Sequence, residues 1–276
     1  MQEKIKSEGK CLFCGKTFTK AGINRHLVTH LNEKIENEKP GTSFLVKIES
    51  DKQWSSAPYF LSLWVDCATT MQSIDKFLRD IWLECCGHMS AFRNPKMKKN
   101  AGGMFAAMEA YEYLERGNRA KYEKIMEEVA GEVPMSRKAK DVFYKGLVLD
   151  YVYDFGSSTY LTLTVVDKYP IKAEKRIVLL SRNEPLEIMC CSCKKVPATQ
   201  ICTVCMYESD AEFCEKCAKK HAKACEDFAD YSSLPVVNSP RMGECAYEGG
   251  SIDTERDKIF VQCNDHAVLE CRQTNK

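Results

Sequence analysis

The residues of this 276-residue chain best equipped for chemistry are its sixteen cysteines and five histidines, and many of them fall in pairs. Near the N-terminus, Cys11 and Cys14 precede His26 and His30, a C-x2-C-x11-H-x3-H run. Two thiolates on a tight turn and two imidazoles four residues apart on one helix face converge on a point, which is how a tetrahedral zinc site is built. A second, denser set lies at Cys190/Cys193, Cys202/Cys205, Cys214/Cys217 and His221/Cys225. Four pairs supply eight ligands, enough to close two four-ligand shells and leave no position for water or substrate. Such shells mark structural rather than catalytic zinc. The expectation is therefore about three zinc ions, one at the N-terminal end and two toward the C-terminus. A redox cysteine cluster is the competing reading of the same thiols.

The eight C-terminal ligands can be shared in two ways. Neighbouring pairs can each hold one ion, or the first pair can join the third and the second the fourth, a cross-brace; the eight-residue gaps that separate the first three pairs allow both, and the cross-brace is what the resemblance given below implies. Cys191 is an alternative to Cys190, although the two-residue gap from Cys190 makes the better knuckle. Cys245, Cys263, His266 and Cys271 offer a further, irregularly spaced set whose plainer reading is buried or free thiols, and Cys245 is also an alternative ligand for the main module.

CLFCGKTFTKAGINRHLVTH (residues 11–30) resembles a two-cysteine, two-histidine (CCHH) zinc finger along its whole length, with Phe18 and Ile23 as its small core. A unit this short folds only with its metal. Its inter-pair spacing is one residue short of the usual twelve. Residues 1–30 carry Lys4, Lys6, Lys10, Lys16, Lys20 and Arg25 against Glu3 and Glu8, a basic surplus that suits nucleic acid. The positions that would read bases fall near Thr19, Gly22 and Arg25, and Gly22 can read nothing. A metal-stapled tag or protein-docking finger is the alternative. The C-terminal segment 191–225 resembles B-box and other treble-clef cross-brace modules, which implies protein interaction; its lysines 194, 195, 216, 219, 220 and 223 add a mildly basic face.

Those ligands need elements to carry them. Residues 1–31 form the finger, and 32–42 (NEKIENEKPGT) read as a flexible linker that lets the finger move independently. Residues 43–187 have globular patterning, 188–250 hold the two-zinc module and the NSPRMG segment, and 251–276 form a tail. SFLVKIE (43–49) and YFLSLWVD (59–66) alternate as half-buried strands do. Thr69 or Thr70 caps a helix that puts Ile74, Phe77, Leu78, Ile81 and Trp82 on one face. Residues 88–92 read as a strand, 104–130 as helix broken near Gly117, and 147–155, 158–166 and 175–181 as strands. Strands with grouped helices between them give an α+β fold with a mostly antiparallel sheet.

FLRDIWLECCGHMSAF (77–92), YVYDFGSSTYLTLTVV (151–166), LLSRNEP (179–185) and PVVNSPRMGECAYEGG (235–250) resemble the plasmid pRiA4b ORF-3-like family. The resemblance spans roughly residues 43–250, with the zinc module embedded as in some prokaryotic members. It implies a helix packed on an antiparallel sheet, in a family found on plasmids and near mobile elements. Many relatives follow YDFG with a tryptophan and a histidine; this chain has Ser157, Ser158, Thr159 and Tyr160 there.

Outside the zinc sets, candidate chemistry is sparse. Asp154 reads as a turn aspartate more readily than as a catalytic carboxylate. Cys85 and Cys86, at the end of an apolar helix, read as buried thiols rather than as nucleophiles served by His88. Arg241 suits either an anion or a structural bridge. Trp54, Trp64, Trp82, Tyr151, Tyr153 and Phe155 have core spacing. Neither nucleotide-loop nor hydrolase motifs occur. The N-terminus MQEKIKSEGK is polar, and no stretch nears the roughly 18 apolar residues of a membrane span, so a cytoplasmic chain is expected. With a formal charge of +1 no global field holds a polyanion. The sequence favours a non-enzymatic adaptor that docks protein or nucleic acid over its alternatives, an enzyme using Asp154, His88 or Arg241, and a metal buffer.

Overall fold

A computed structural model describes residues 6–51, 57–96 and 103–257. The finger opens it with β1 (Glu8–Lys10), β2 (Thr17–Thr19) and α1 (Ile23–Lys34). Next come β3 (Pro40–Ser50), β4 (Phe60–Asp66), α2 (Met71–Leu78), which runs into a π-turn at Arg79–Leu83, β5 (Ser90–Arg93), α3 (Gly103–Glu115), α4 (Arg119–Ala130), β6 (Glu132–Val133), α5 (Ala139–Val142), β7 (Val148–Tyr153), β8 (Thr159–Ile171) and β9 (Ile177–Arg182). The C-terminal module contributes β10 (Gln200–Cys202), β11 (Glu212–Phe213), α6 (Glu215–His221), α7 (Glu226–Asp230) and β12 (Ser233–Pro235). The fold is α+β, and its main sheet is antiparallel throughout, in the order β6-β5-β7-β8-β3-β4-β9.

Period-two alternation sorts the side chains of β3 and β4 onto two faces. Phe44, Val46, Ile48, Leu61, Leu63 and Val65 face α2 and the π-turn, where they meet Ile74, Leu78, Ile81 and Trp82. Thr70 caps that helix, its hydroxyl accepting from the Ser73 amide at 3.2 Å. The intervening residues Leu45, Phe60 and Trp64 point the other way, with Tyr169, Ile171 and Leu180. They are covered by the finger, whose Cys11, Ile23, Leu27 and Leu31 are fully buried against them.

The finger is thus not a mobile appendage. Residues 32–34 complete α1 and β3 begins at Pro40, leaving a connection of five residues. Backbone bonds tie it to the sheet edge: the Leu12 amide donates to the Leu180 carbonyl at 2.9 Å and the Glu184 amide to the Glu8 carbonyl at 2.8 Å. A Cβ on Gly9 would stand 2.6 Å from the Phe60 ring and 2.9 Å from the Arg182 carbonyl oxygen, so only glycine permits this approach. Ser62 donates to Asn24 at 2.9 Å, and Glu49 receives Lys20 at 3.0 Å and Lys47. Because the second face is covered, all of β4 is buried, where alternation alone predicts a half-buried strand.

After β12 the chain returns to the scaffold. Asn238 and Asn183 exchange bonds, Nδ2 of Asn183 donating to Oδ1 of Asn238 at 2.7 Å, and buried Arg182 donates to the Asn238 carbonyl at 2.6 Å. Among the aromatics, Trp64, Trp82, Tyr151 and Tyr153 are core residues. Phe155 departs from expectation: it is exposed at a turn, under the Arg93 guanidinium. Trp54 lies outside the described residues. No helix among the described residues is long and apolar enough to cross a membrane.

Candidate metal centres

Four groups of thiol and imidazole donors gather in the structure, each with its ligand atoms within 4.8 Å of one another. Zinc–sulfur and zinc–nitrogen bonds of about 2.3 and 2.0 Å place two tetrahedral ligands about 3.3 to 3.8 Å apart, which gives a test of fit.

The finger brings together Cys11, Cys14, His26 and His30. Cys14 Sγ lies 3.2 Å from His26 Nε2, and the two Nε2 atoms are 3.1 Å apart. One helical turn of α1 aligns the histidines, and Phe18 stacks on His26 with centroids 4.0 Å apart, fixing the ring plane. The Lys16 amide, followed by His30, lowers the Cys14 thiol to about 6, so that the thiolate is at hand near neutral pH.

In the C-terminal module the pairs interleave. Cys190 and Cys193 join Cys214 and Cys217, while Cys202 and Cys205 join His221 and Cys225. This is the cross-brace. Helix α6 explains it: Cys214 and Cys217 lie at its N-terminal end and His221 one turn on, so one short helix serves both groups. Separations are 3.9 Å for Cys193–Cys214, 3.6 Å for Cys205–His221 and 3.9 Å for Cys205–Cys225, all tetrahedral edges. Cys190, not Cys191, faces the ligand set, through a knuckle in which left-handed Lys194 donates its amide to the Cys190 carbonyl at 2.9 Å. Burial opposes ionisation of Cys190, but the amides of Cys193, Cys214 and Ser192 outweigh it and lower the thiol to about 6. Phe213 stacks on His221 with centroids 4.3 Å apart and meets Phe228, giving the module its small core.

The fourth group, Cys85, Cys86, His88 and Cys245, corrects two expectations. Cys85 is half-buried and Cys86 exposed, so the pair is not a set of core thiols. Cys245 stands with Cys85, Cys86 and His88 and not with the cross-brace, while Cys263, His266 and Cys271 lie outside the described residues. The signal in the sequence was CCGH, a donor-rich string whose fourth partner is 157 positions from its histidine.

Asp154, His88 and Arg241 also converge. Arg241 Nη2 donates to Asp154 Oδ2 at 2.7 Å, and that oxygen lies 3.6 Å from His88 Nε2. Asp154 is a left-handed turn residue, φ 65°, whose other oxygen accepts from the Gly156 amide at 2.9 Å. Arg241, fully buried, further donates to the Ser157 carbonyl and to Thr159 Oγ1. Burial works against the Asp154 carboxylate, and the Arg241 bond prevails and holds its pKa below the usual range. A cleft of about 410 Å³ is lined by Asp75, Arg79, His88, Arg119 and Glu132, but by neither Asp154 nor Arg241.

No family model and no curated protein matches the chain. Among solved structures it is similar to a Methanosarcina mazei Go1 protein of unknown function, at 15% identity and a TM-score of 0.33, over 51% of this chain and 67% of that one.

Proposed function

We propose that this is a zinc-dependent, non-enzymatic docking protein whose partner surface lies on the cross-brace module. The observation that carries the reading is the completeness of the three donor sets in the finger and module: each has four protein ligands and no vacancy for a reacting group. Metal in such shells holds shape. What the shape displays is a surface around the Cys202/Cys205/His221/Cys225 set, where Tyr207 and Tyr231 are 72% and 71% exposed and Lys220 and Lys223 on the same module are exposed as well. Exposed tyrosines suit a protein partner. The finger favours protein over DNA as well, since Asn24 in the first turn of α1 is bonded to the sheet and Lys20 is paired with Glu49. The likeness to pRiA4b ORF-3-like proteins makes a prokaryotic mobile-element protein the first partner to try.

The test is co-purification of the full chain from its host, with and without nuclease, against a Tyr207→Ala/Lys220→Glu variant. A nuclease-resistant protein partner lost in the variant is expected. Retention that nuclease abolishes would shift the reading to nucleic acid, and no partner under either condition would end it.

A second reading, a small-molecule site, rests on the 410 Å³ cleft with Asp75, Arg79, His88, Arg119 and Glu132 on its lining, where His88 is reached without Asp154 or Arg241. Thermal-shift screening with carboxylates and phosphates, repeated on His88→Ala, decides it: ligand shifts that vanish in the variant support it, and none in the wild type removes it.

A further inference from the structure

We propose that Cys85, Cys86, His88 and Cys245 form a fourth zinc site, one that fastens the returning C-terminal segment to the end of the π-turn. This inference does not depend on the docking reading. Cys86 and Cys245 sulfurs are 3.6 Å apart, and Cys245 Sγ lies 3.6 Å from His88 Nε2, both close to the edges of a zinc tetrahedron. Three thiols and an imidazole form a donor set that selects zinc over harder divalent ions.

The surroundings are built to hold the loop in place. Gly87 takes φ 73°, turning the chain between Cys86 and His88. Arg79 donates to the His88 carbonyl at 2.6 Å and to Glu84 at 2.9 Å, clamping both ends of the turn. Tyr153 donates to Glu84 at 3.2 Å. Cys245 itself sits at φ 54°, a left-handed conformation that a non-glycine residue keeps only where the surroundings demand it. Zinc with three thiolates carries a net charge of −1, and a buried counter-charge stands ready: Arg241 Nη2 points at Cys85 Sγ from 3.6 Å. Asp154 keeps that guanidinium oriented. The site would join residues 159 positions apart. With Cys86 and Cys245 exposed it is also the most accessible of the four, so its ion should leave first under a chelator. His88 would then be occupied as a ligand and unable to act as a base.

The test uses the full chain, purified under reduction with zinc and measured by elemental mass spectrometry. Cys245→Ser should hold one zinc fewer than the wild type, with His88→Ala showing the same loss. Equal zinc in wild type and Cys245→Ser would overturn the proposal. If the variants do not fold, wild-type alkylation decides: zinc should protect Cys86 and Cys245 from iodoacetamide, and chelation should expose them before the finger cysteines. Labelling indifferent to zinc, or a Cys86–Cys245 disulfide in the reduced preparation, would overturn it equally.

Discussion

Arg241 and Asp154, 87 positions apart in sequence, meet at 2.7 Å and so couple the NSPRMG string to the YDFG turn. Arg241 is fully buried and Asp154 is nearly so. Removing one partner strands the other. Arg241→Met should destabilise the fold by about 3–5 kcal/mol, the usual cost of breaking a buried pair, as read from urea denaturation. A loss under about 1 kcal/mol would mean that water reaches the site.

The finger's seat depends on the bare backbone at Gly9. Gly9→Ala places a methyl against Phe60 and the Arg182 carbonyl, and should destabilise by about 1–3 kcal/mol as an overpacked contact. Hydrogen exchange should quicken in β1 and β9 while the zinc content stays unchanged.

Glu49 links the finger to the sheet electrostatically. Burial would raise its pKa, but Lys47 and Lys20 more than offset this and hold it below the ordinary value. A folded-state pKa below the unfolded one gives stability that is complete above about pH 4.3 and fades as pH falls through the folded value. Glu49→Gln should therefore cost about 0.5–1 kcal/mol at pH 7, and the gap between the two proteins should begin to close only below about pH 4.3 and vanish below the folded pKa. A gap that widens toward acid would show the pairing to be wrong.

Interleaved ligand sharing has its own signature in zinc counts. Cys193→Ser combined with Cys217→Ser should release a single ion, because both serve one group. Cys193→Ser with Cys205→Ser should release two. Sequential sharing predicts the opposite pairing, so elemental analysis of the two double variants separates them.

Much of this was legible in the sequence, for identifiable reasons. Ligand spacing within the finger and the cross-brace is local, so twenty to forty residues carry the pattern. Thr70 as a cap and Gly117 as a break between α3 and α4 are likewise short-range signals. Three things were hidden, the first two because they depend on distant pairing. The burial of both faces of β4 requires knowing that Leu27 and Leu31 of the finger seek Phe60 and Trp64. The fourth donor group requires bringing Cys245 beside Cys86. The π-turn, which buries Ile81, Trp82 and Leu83 in succession, breaks the helical period that the apolar positions imply.

One structural feature reaches beyond the molecule itself. Because the finger is the lid over Leu45, Phe60, Trp64 and Leu180, starving a cell of zinc would do more than silence a peripheral module. It would leave a greasy sheet surface on display, the kind that chaperones hold and proteases clear, so the abundance of this protein should rise and fall with the cell's supply of the metal.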